Sequence, residues 1–282
     1  MTKTWLITGA SSGFGRGMAE RLLARGDQVI ATVRRQGSLD DLAAQYHDRL
    51  RVVYLDVTDT DGVQAAVNQA FADFKRIDVI VSNAGYGILG TVEETSIDQM
   101  RDIIETNLMG SMFLIKAALP HLRAQGFGRI VQVSSEGGQI AYPGFSLYHA
   151  SKWGIEGFIE SLAKEVQPFD IYFMIVEPGP SRTAFVGSIV LPDPIRDYDG
   201  TPAHDLKDAA FGGGWVIKGD PDRMVDAMIT AADAPVMPFR LLLGKDAYAG
   251  VHGALSERLA VLEAGRDVTE AADFTEEELA AM

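Results

Sequence analysis

The chain has 282 residues, with 25 Lys+Arg against 39 Asp+Glu, a formal net charge of −14 at pH 7 and no Cys. That balance argues against nucleic acid or an anionic membrane as the main partner, because both are polyanions that clustered Lys/Arg must neutralise. The absence of thiols excludes disulfides, thiolate catalysis, Fe–S clusters and Cys-based zinc sites together, and it fits a reducing cytoplasm.

Residues 5–8 read as a first strand, followed by a Gly/Ser turn and a helix to about Arg25. Residues 28–33 form a second strand, entered through Gly26 and Asp27. Residues 38–46 are helical, with Ser38 as the N-cap. Residues 51–55 form a third strand. Asp59 or Thr60 caps a helix running to about Phe74, and 79–82 form a fourth strand. Ser96 opens a long helix to about Arg123, with Pro120 placed to kink its last turn. Residues 129–134 form a fifth strand, 148–166 a helix and 171–177 a sixth strand. An irregular segment, 184–215, precedes a helix from Pro221, a short strand around 241–243 and a helix from Lys245.

Strand–helix alternation with uninterrupted apolar strands is the pattern of a parallel sheet covered on both faces. Six such units with right-handed crossovers give a doubly wound α/β sheet. No repeat or Pro/Gly linker divides the chain, so one domain is expected over 1–262. Residues 263–282 read as an acidic tail, with seven acids against one base (Arg266), a net −6. The longest apolar runs, such as 171–176, are strand-sized against the roughly 20 residues that cross a bilayer, so no membrane is expected. The apolar run 5–7 is too short for a signal peptide, and a cytoplasmic location is expected.

The first strand runs into Thr8-Gly9-Ala10-Ser11-Ser12-Gly13-Phe14-Gly15. Glycines there let the backbone approach a ligand closely, and the helix that follows offers free N–H groups and a positive dipole end to a pyrophosphate. The spacing is G-x-x-x-G-x-G, not the G-x-G-x-x-G dinucleotide fingerprint. An ordinary βα turn is the competing reading. The second strand ends in Val33-Arg34-Arg35, and Arg35 stands 20 residues after Gly15. Dinucleotide folds place an acid for the ribose hydroxyls at that distance. Here there are two guanidiniums, which suit a 2′-phosphate and favour NADP(H) over NAD(H). Asp56-Val57 and Asn83-Ala84-Gly85 follow the third and fourth strands, at the carboxyl edge where open α/β sheets bind ligands. Each is also a common turn or cap pattern.

Tyr148 and Lys152 stand at i and i+4 of one helix and share a face. Ser135 follows the fifth strand. A neighbouring ammonium stabilises phenolate, so such a Tyr can exchange a proton with an alcohol/carbonyl pair. A serine hydroxyl can hold the same oxygen. A half-buried Tyr with a snorkelling Lys is the plain alternative. The five His lack metal-ligand spacing, and no metal is expected. His149 points about 100° away from Tyr148 on a helix and reads as structural. No G-x-S-x-G elbow supports a hydrolase.

Taken together, T-G-A-S-S-G-F-G (8–15), L-D-V (55–57), N-A-G (83–85), Asn107, V-S-S (133–135), Y-H-A-S-K (148–152) and E-P-G-P-S-R-T (177–183) resemble the short-chain dehydrogenase/reductase superfamily over about residues 3–250. The resemblance implies a single-domain Rossmann fold of about seven parallel strands with helices on both faces, and NAD(P)-dependent hydride transfer. It implies that Tyr148 is the acid/base and that Lys152 lowers its pKa and holds the nicotinamide ribose. It implies that Ser135 orients the substrate oxygen and that Asn107 anchors a proton-relay water. It assigns cofactor contacts to Gly9, Ser11, Ser12, Gly13, Phe14, Gly15, Arg34, Arg35, Asp56, Val57, Asn83, Ala84, Gly85, Tyr148, Lys152, Pro178, Gly179 and Thr183. Arg34 matches an NADP marker, whereas Ser12 stands where another NADP-preferring group has a basic residue. V-R-R (33–35) and P-F-R-L-L-L-G-K-D-A (238–247) resemble the 17β-hydroxysteroid/retinol-dehydrogenase-like branch. The family's helix pairing implies a homodimer or homotetramer.

Segment 184–215 carries Phe185, Val186, Ile189, Val190, Leu191, Tyr198, Phe211 and Trp215, and reads as a mobile lid. Ile140, Tyr142 and Phe145 supply a second wall. An apolar pocket is expected, for a small hydrophobic ketone or secondary alcohol. A nucleotide-binding sensor without catalysis is the reading from another class.

Overall fold

The structure is a computed structural model that describes residues 2–212 and 216–282. Seven strands carry the fold: β1 (Thr4–Ile7), β2 (Gln28–Val33), β3 (Leu50–Tyr54), β4 (Val79–Ser82), β5 (Gly128–Val133), β6 (Ile171–Pro178) and β7 (Arg240–Leu243). They form one sheet in the order β3-β2-β1-β4-β5-β6-β7, with every pairing parallel. The order reverses direction between β1 and β4. Such a switch leaves a crevice at the carboxyl ends of the strands, where doubly wound sheets take ligands.

Both faces of this sheet are buried, which explains why its strands are apolar without alternation. Trp5, Ile7, Val29, Val79 and Val131 point to one side, into a core shared with Met18, Leu22, Val225 and Met228. The helices on that side include α1 (Gly13–Arg25), α2 (Asp40–Gln45) and a helix over Pro221–Asp233. Leu6, Ile30, Ile80, Ile130 and Ile175 point to the other side. There they meet α3 (Thr60–Phe74), the long helical stretch that follows Ser96, and a helix over Ser146–Val166.

Several helix boundaries follow from capping. Asp59 accepts the Gly62 N–H and starts α3, as expected. Ser96 and Gln99 form a reciprocal capping box at the start of α4 (Ile97–Ile104). The expected single long helix to Arg123 is three pieces. A π-helical turn, Glu105–Met109, separates α4 from α5 (Gly110–Gln125). Pro120 lies inside α5 and does not end it; Gly126, with φ 71°, does. Ser38 is not an N-cap. Its hydroxyl donates to the Arg35 carbonyl, and α2 begins two residues later.

Downstream, α6 spans Ser146–Val166. Segment 184–215 is less irregular than expected, since α7 (Pro202–Phe211) lies within it, with Pro202 in its first turn. Trp215 lies outside the described residues. Helix α8 (Pro221–Asp233) is capped by Asp220, and α9 runs over Lys245–Ala264. The acidic end forms two short helices, α10 (Arg266–Glu270) and α11 (Glu276–Ala281). No described helix is long and apolar enough to cross a membrane.

Candidate active site

One cleft at the carboxyl edge of the sheet takes in the glycine turn, Asn83–Gly85, Ser135, Tyr148, Lys152 and the Pro178–Thr183 loop. The turn is built for close approach. Gly9 has φ 67°, and a Cβ there would lie 2.9 Å from the Ala84 Cα. A Cβ on Gly15 would lie 2.6 Å from both Asn83 Nδ2 and the Gly9 carbonyl. Ser12 occupies the N-cap of α1 but makes no side-chain cap bond, so the first N–H groups of α1 lack a cap acceptor. A bare backbone cradle at a helix N-terminus is the chemistry that receives a pyrophosphate.

Asn83 supports this cradle from beneath. Its Nδ2 donates to the carbonyls of Thr8 (2.9 Å) and Gly9 (3.2 Å), and its backbone N–H donates to the Thr8 hydroxyl. Ala84 and Gly85 line the cleft beside it. Ser11, Gly15, Arg34, Arg35, Asp56, Val57 and Asn107 are not among the residues lining the cleft. Arg34 and Arg35 are exposed at the end of β2. Asp41, the acid on the neighbouring helix, pairs with Arg16, and neither Arg34 nor Arg35 has an ion-pair partner among the described residues. Asp56 accepts from the Thr58 N–H and hydroxyl, a turn that, with Arg34, holds its carboxyl low against the opposing effect of burial. Val57 packs where a Cβ on Gly110 would sit.

The Ser–Tyr–Lys group is assembled from β5 and α6. Ser135 follows β5 and caps a short 3₁₀ turn, accepting the Gly137 N–H at 3.0 Å. Lys152 is buried, and its Nζ donates to the Val133 carbonyl at 3.1 Å. That Nζ lies 5.6 Å from the Tyr148 ring centroid. Burial pushes the Lys152 ammonium down to about 8, with Glu156 opposing. Burial also pushes the Tyr148 phenol up to about 12, against the pull of the Ser135 hydroxyl and with the help of Glu136 and Glu156. The phenol thus stands above its ordinary value, opposite to the lowering by Lys152 that the resemblance implied.

Asn107 sits in the π-helical turn and is fully committed. Its Oδ1 accepts from the Tyr86 N–H, and its Nδ2 donates to the Tyr86 carbonyl and to Ser151 Oγ. The substrate side is walled by Tyr142, Phe145, Phe185, Val186 and Ile189. Of the other apolar residues expected there, Ile140, Val190, Leu191, Tyr198 and Phe211 are not among the lining residues. Val190 instead pairs with the strand-like stretch at Gly87–Leu89. Tyr198 donates to Glu93. The stretch around Ile195 and His204 is held by Glu94, which accepts from the N–H of Ile195 and faces His204 at 2.6 Å.

Sequence reasoning missed Glu136 and Arg240, and it read His149 as structural without its contacts. Glu136, beside Ser135, is buried, and one of its carboxyl oxygens accepts from the Tyr142 hydroxyl at 3.1 Å. His149 lines the cleft and joins two walls. Its Nε2 accepts the Tyr142 N–H and its Nδ1 faces the Gly137 carbonyl, both at 2.8 Å. Behind Lys152, Arg240 holds Glu156 at 2.7 Å and also contacts Glu177 and Glu160. Glu156 in turn accepts from the Ser134 hydroxyl at 2.5 Å. Arg240 lies within the P-F-R-L-L-L-G-K-D-A stretch (238–247), the sequence signal that could have found it.

Comparison with known proteins agrees with this geometry. The family model for short chain dehydrogenase matches residues 3–192. Oxidoreductase BOA17 of Botryotinia fuckeliana (strain B05.10) is 40% identical over 254 residues, covering 89% of this chain and 92% of that protein. The 17-beta-hydroxysteroid dehydrogenase type 1 of Homo sapiens is 37% identical over 208 residues, covering 71% and 62%. A short-chain dehydrogenase from Streptomyces avermitilis superposes with a TM-score of 0.89 at 39% identity, over 96% of this chain and 98% of that one. One from Burkholderia cenocepacia J2315, solved in complex with NADP, superposes with a TM-score of 0.73 at 25% identity, over 93% and 96%. With its seven-stranded parallel sheet, glycine cradle and Ser–Tyr–Lys cleft, the chain belongs to the short-chain dehydrogenase/reductase family of NAD(P)-dependent oxidoreductases, on the 17β-hydroxysteroid/retinol-dehydrogenase-like branch.

Proposed function

We propose that the protein is an NADP(H)-dependent oxidoreductase that interconverts a secondary alcohol and a carbonyl on a small hydrophobic substrate. The observation that carries this reading is the single cleft shared by the glycine cradle and by Ser135, Tyr148 and Lys152. Gly9, Gly13, Phe14 and Thr183 would hold the dinucleotide along one side. Bound there, a nicotinamide supplies or accepts the hydride. Ser135 donates a hydrogen bond to the substrate oxygen. Tyr148 gives that oxygen its proton in reduction and takes it back in oxidation. The Lys152 ammonium, fixed on the Val133 carbonyl, stabilises the phenolate that this leaves. Tyr142, Phe145, Phe185 and Ile189 exclude water from the reacting carbon.

Arg34 and Arg35, exposed and without ion-pair partners among the described residues, support the preference for NADP(H). The Arg34→Ala/Arg35→Ala protein should bind NADPH more weakly by tenfold or more and NADH nearly unchanged. An equal loss for both cofactors refutes the preference. The chemistry is tested by nicotinamide absorbance over a panel of ketones, with Tyr148→Phe as the control. Full turnover by that variant refutes the role of Tyr148. A cytoplasmic homodimer or homotetramer, paired through the long helices α5 and α6, completes the reading, and light scattering checks the assembly.

A further inference from the structure

Glu136 is the acid next to Ser135 in sequence, and it is only 4% exposed. The other deeply buried acids of this region are matched by a cation. Glu156 and Glu177 face Arg240, and each has a neutral donor besides, Ser134 and Gln139. Among the described residues, Glu136 has no cation partner. Its Oε1 accepts from the Tyr142 hydroxyl, and its Oε2 is buried with no hydrogen-bond partner. An orphaned buried acceptor costs on the order of 1–3 kcal/mol, and an apolar residue of like shape would avoid that cost. A group kept unsatisfied beside reacting atoms is a mark of a ligand site.

Its position fits that role. Glu136 lines the substrate side of the main cleft and also an adjoining recess that runs toward Leu243 and Met224. Tyr142, Phe145, Gly179 and Pro180 line both, so the two are continuous around Glu136. Gly179 packs closely there: a Cβ on it would sit 2.9 Å from the Ala247 Cβ and 3.4 Å from Glu136 Oε2. The recess is also lined by Lys218, Arg223 and Lys245; Lys218 pairs with Asp246 at 2.9 Å and Arg223 with Asp220 at 3.3 Å, and the neighbouring charge that acts on Glu136 is that of Asp246, itself an acid. The nearby His149 has both ring nitrogens engaged by backbone groups. Among the described residues nothing donates to Oε2.

Resting on the oxidoreductase reading above, we propose that Glu136 is a specificity-determining residue whose free oxygen binds a hydrogen-bond donor carried by the substrate close to its reacting carbonyl. The substrate class is then a hydrophobic ketone or alcohol bearing a nearby hydroxyl or amine. The test compares an aryl ketone with matched analogues that carry a hydroxyl or an amine one or two carbons from the carbonyl. The full-length protein should prefer at least one donor-bearing ketone over its parent by tenfold or more in kcat/KM. Glu136→Leu and Glu136→Ala should bring that ratio to within about twofold of unity. Glu136→Gln, which keeps a neutral acceptor, should keep a hydroxyl preference and lose an amine preference, which identifies the donor. No donor preference in the unmodified protein overturns the proposal, as does either folded variant keeping the original ratio. If no ketone turns over, the oxidoreductase reading fails instead. The same ratios read as Kd by quenching of protein fluorescence still decide the role of Glu136.

Discussion

Replacing Arg240 by Met tests the ion cluster behind Lys152. Glu156 is 3% exposed and Glu177 2% exposed, and the variant leaves both carboxyls without their cation. Breaking a buried pair from one side costs about 3–5 kcal/mol. Two features move the expectation to the lower end. The Arg240 side chain is itself 29% exposed, and each acid keeps one neutral donor, Ser134 at 2.5 Å and Gln139 at 3.0 Å. A loss of about 3 kcal/mol corresponds to a fall in Tm of roughly 6–12 °C for a domain of this size. Urea unfolding and thermal melts at pH 7 measure it. Burial raises the Glu156 carboxyl even with Arg240 in place, so protonation should relieve the defect. The deficit should shrink as pH falls, and adding Glu156→Gln and Glu177→Gln should restore most of the stability. A loss below about 1 kcal/mol, or a deficit independent of pH, would refute the reasoning.

Three further outcomes are expected. Lys152 is held near 8 by burial and acts as its ammonium, so kcat/KM for ketone reduction should be level below that value and fall above it; a profile flat to pH 10 would contradict this. The Glu94 carboxylate raises the His204 pKa above its ordinary value, with burial opposing. The stability it lends is complete below about 6.5 and lost as pH rises through the raised value. Hydrogen exchange should therefore show α7 losing protection over that rise, after correction for intrinsic rates, and His204→Gln should remove the pH-dependent part. Gly15→Ala places a methyl 2.6 Å from the Gly9 carbonyl, so calorimetry should show dinucleotide binding weakened at least tenfold; unchanged binding would mean the turn yields freely.

Much of the architecture was legible because its causes are local. Strands buried on both faces have to be apolar throughout, and 28–33 and 79–82 were read with the bounds they have. Asp59, Ser96 and Asp220 bond their own helices within three residues, so caps at those places leave a short-range mark. The π-helical turn left none. Glu105–Met109 is compatible with an ordinary helix, and its widening goes with bonds from Asn107 to Tyr86 and Ser151, far apart in sequence. Helix α7 did carry a mark, Thr201-Pro202, hidden among the turn residues of a segment read as loop. Tyr148 and Lys152 could be placed together from the sequence because i and i+4 share a helix face, and Ser135 because it follows the fifth strand at the same edge of the sheet. Glu136 was not legible, because nothing in Glu-Gly-Gly tells whether the acid is buried. The Arg240–Glu156 contact spans 84 residues and needs both the pairing of β6 with β7 and the packing of α6 on the sheet.

His149 carries one more consequence. Its ring bridges two backbone groups of opposite polarity, an amide N–H at Tyr142 and a carbonyl at Gly137. Only the neutral ring with its hydrogen on Nδ1 can accept from one and donate to the other. Burial favours that uncharged form, with the Gly137 contact opposing. The position is thus a spacer of fixed length and fixed polarity. Among other side chains a carboxamide or a hydroxyl carries both functions, and the reach of each is set differently. Exchange at 149 should therefore be narrow, and a change there would be felt first as a shift in the distance between the serine and aromatic sides of the pocket.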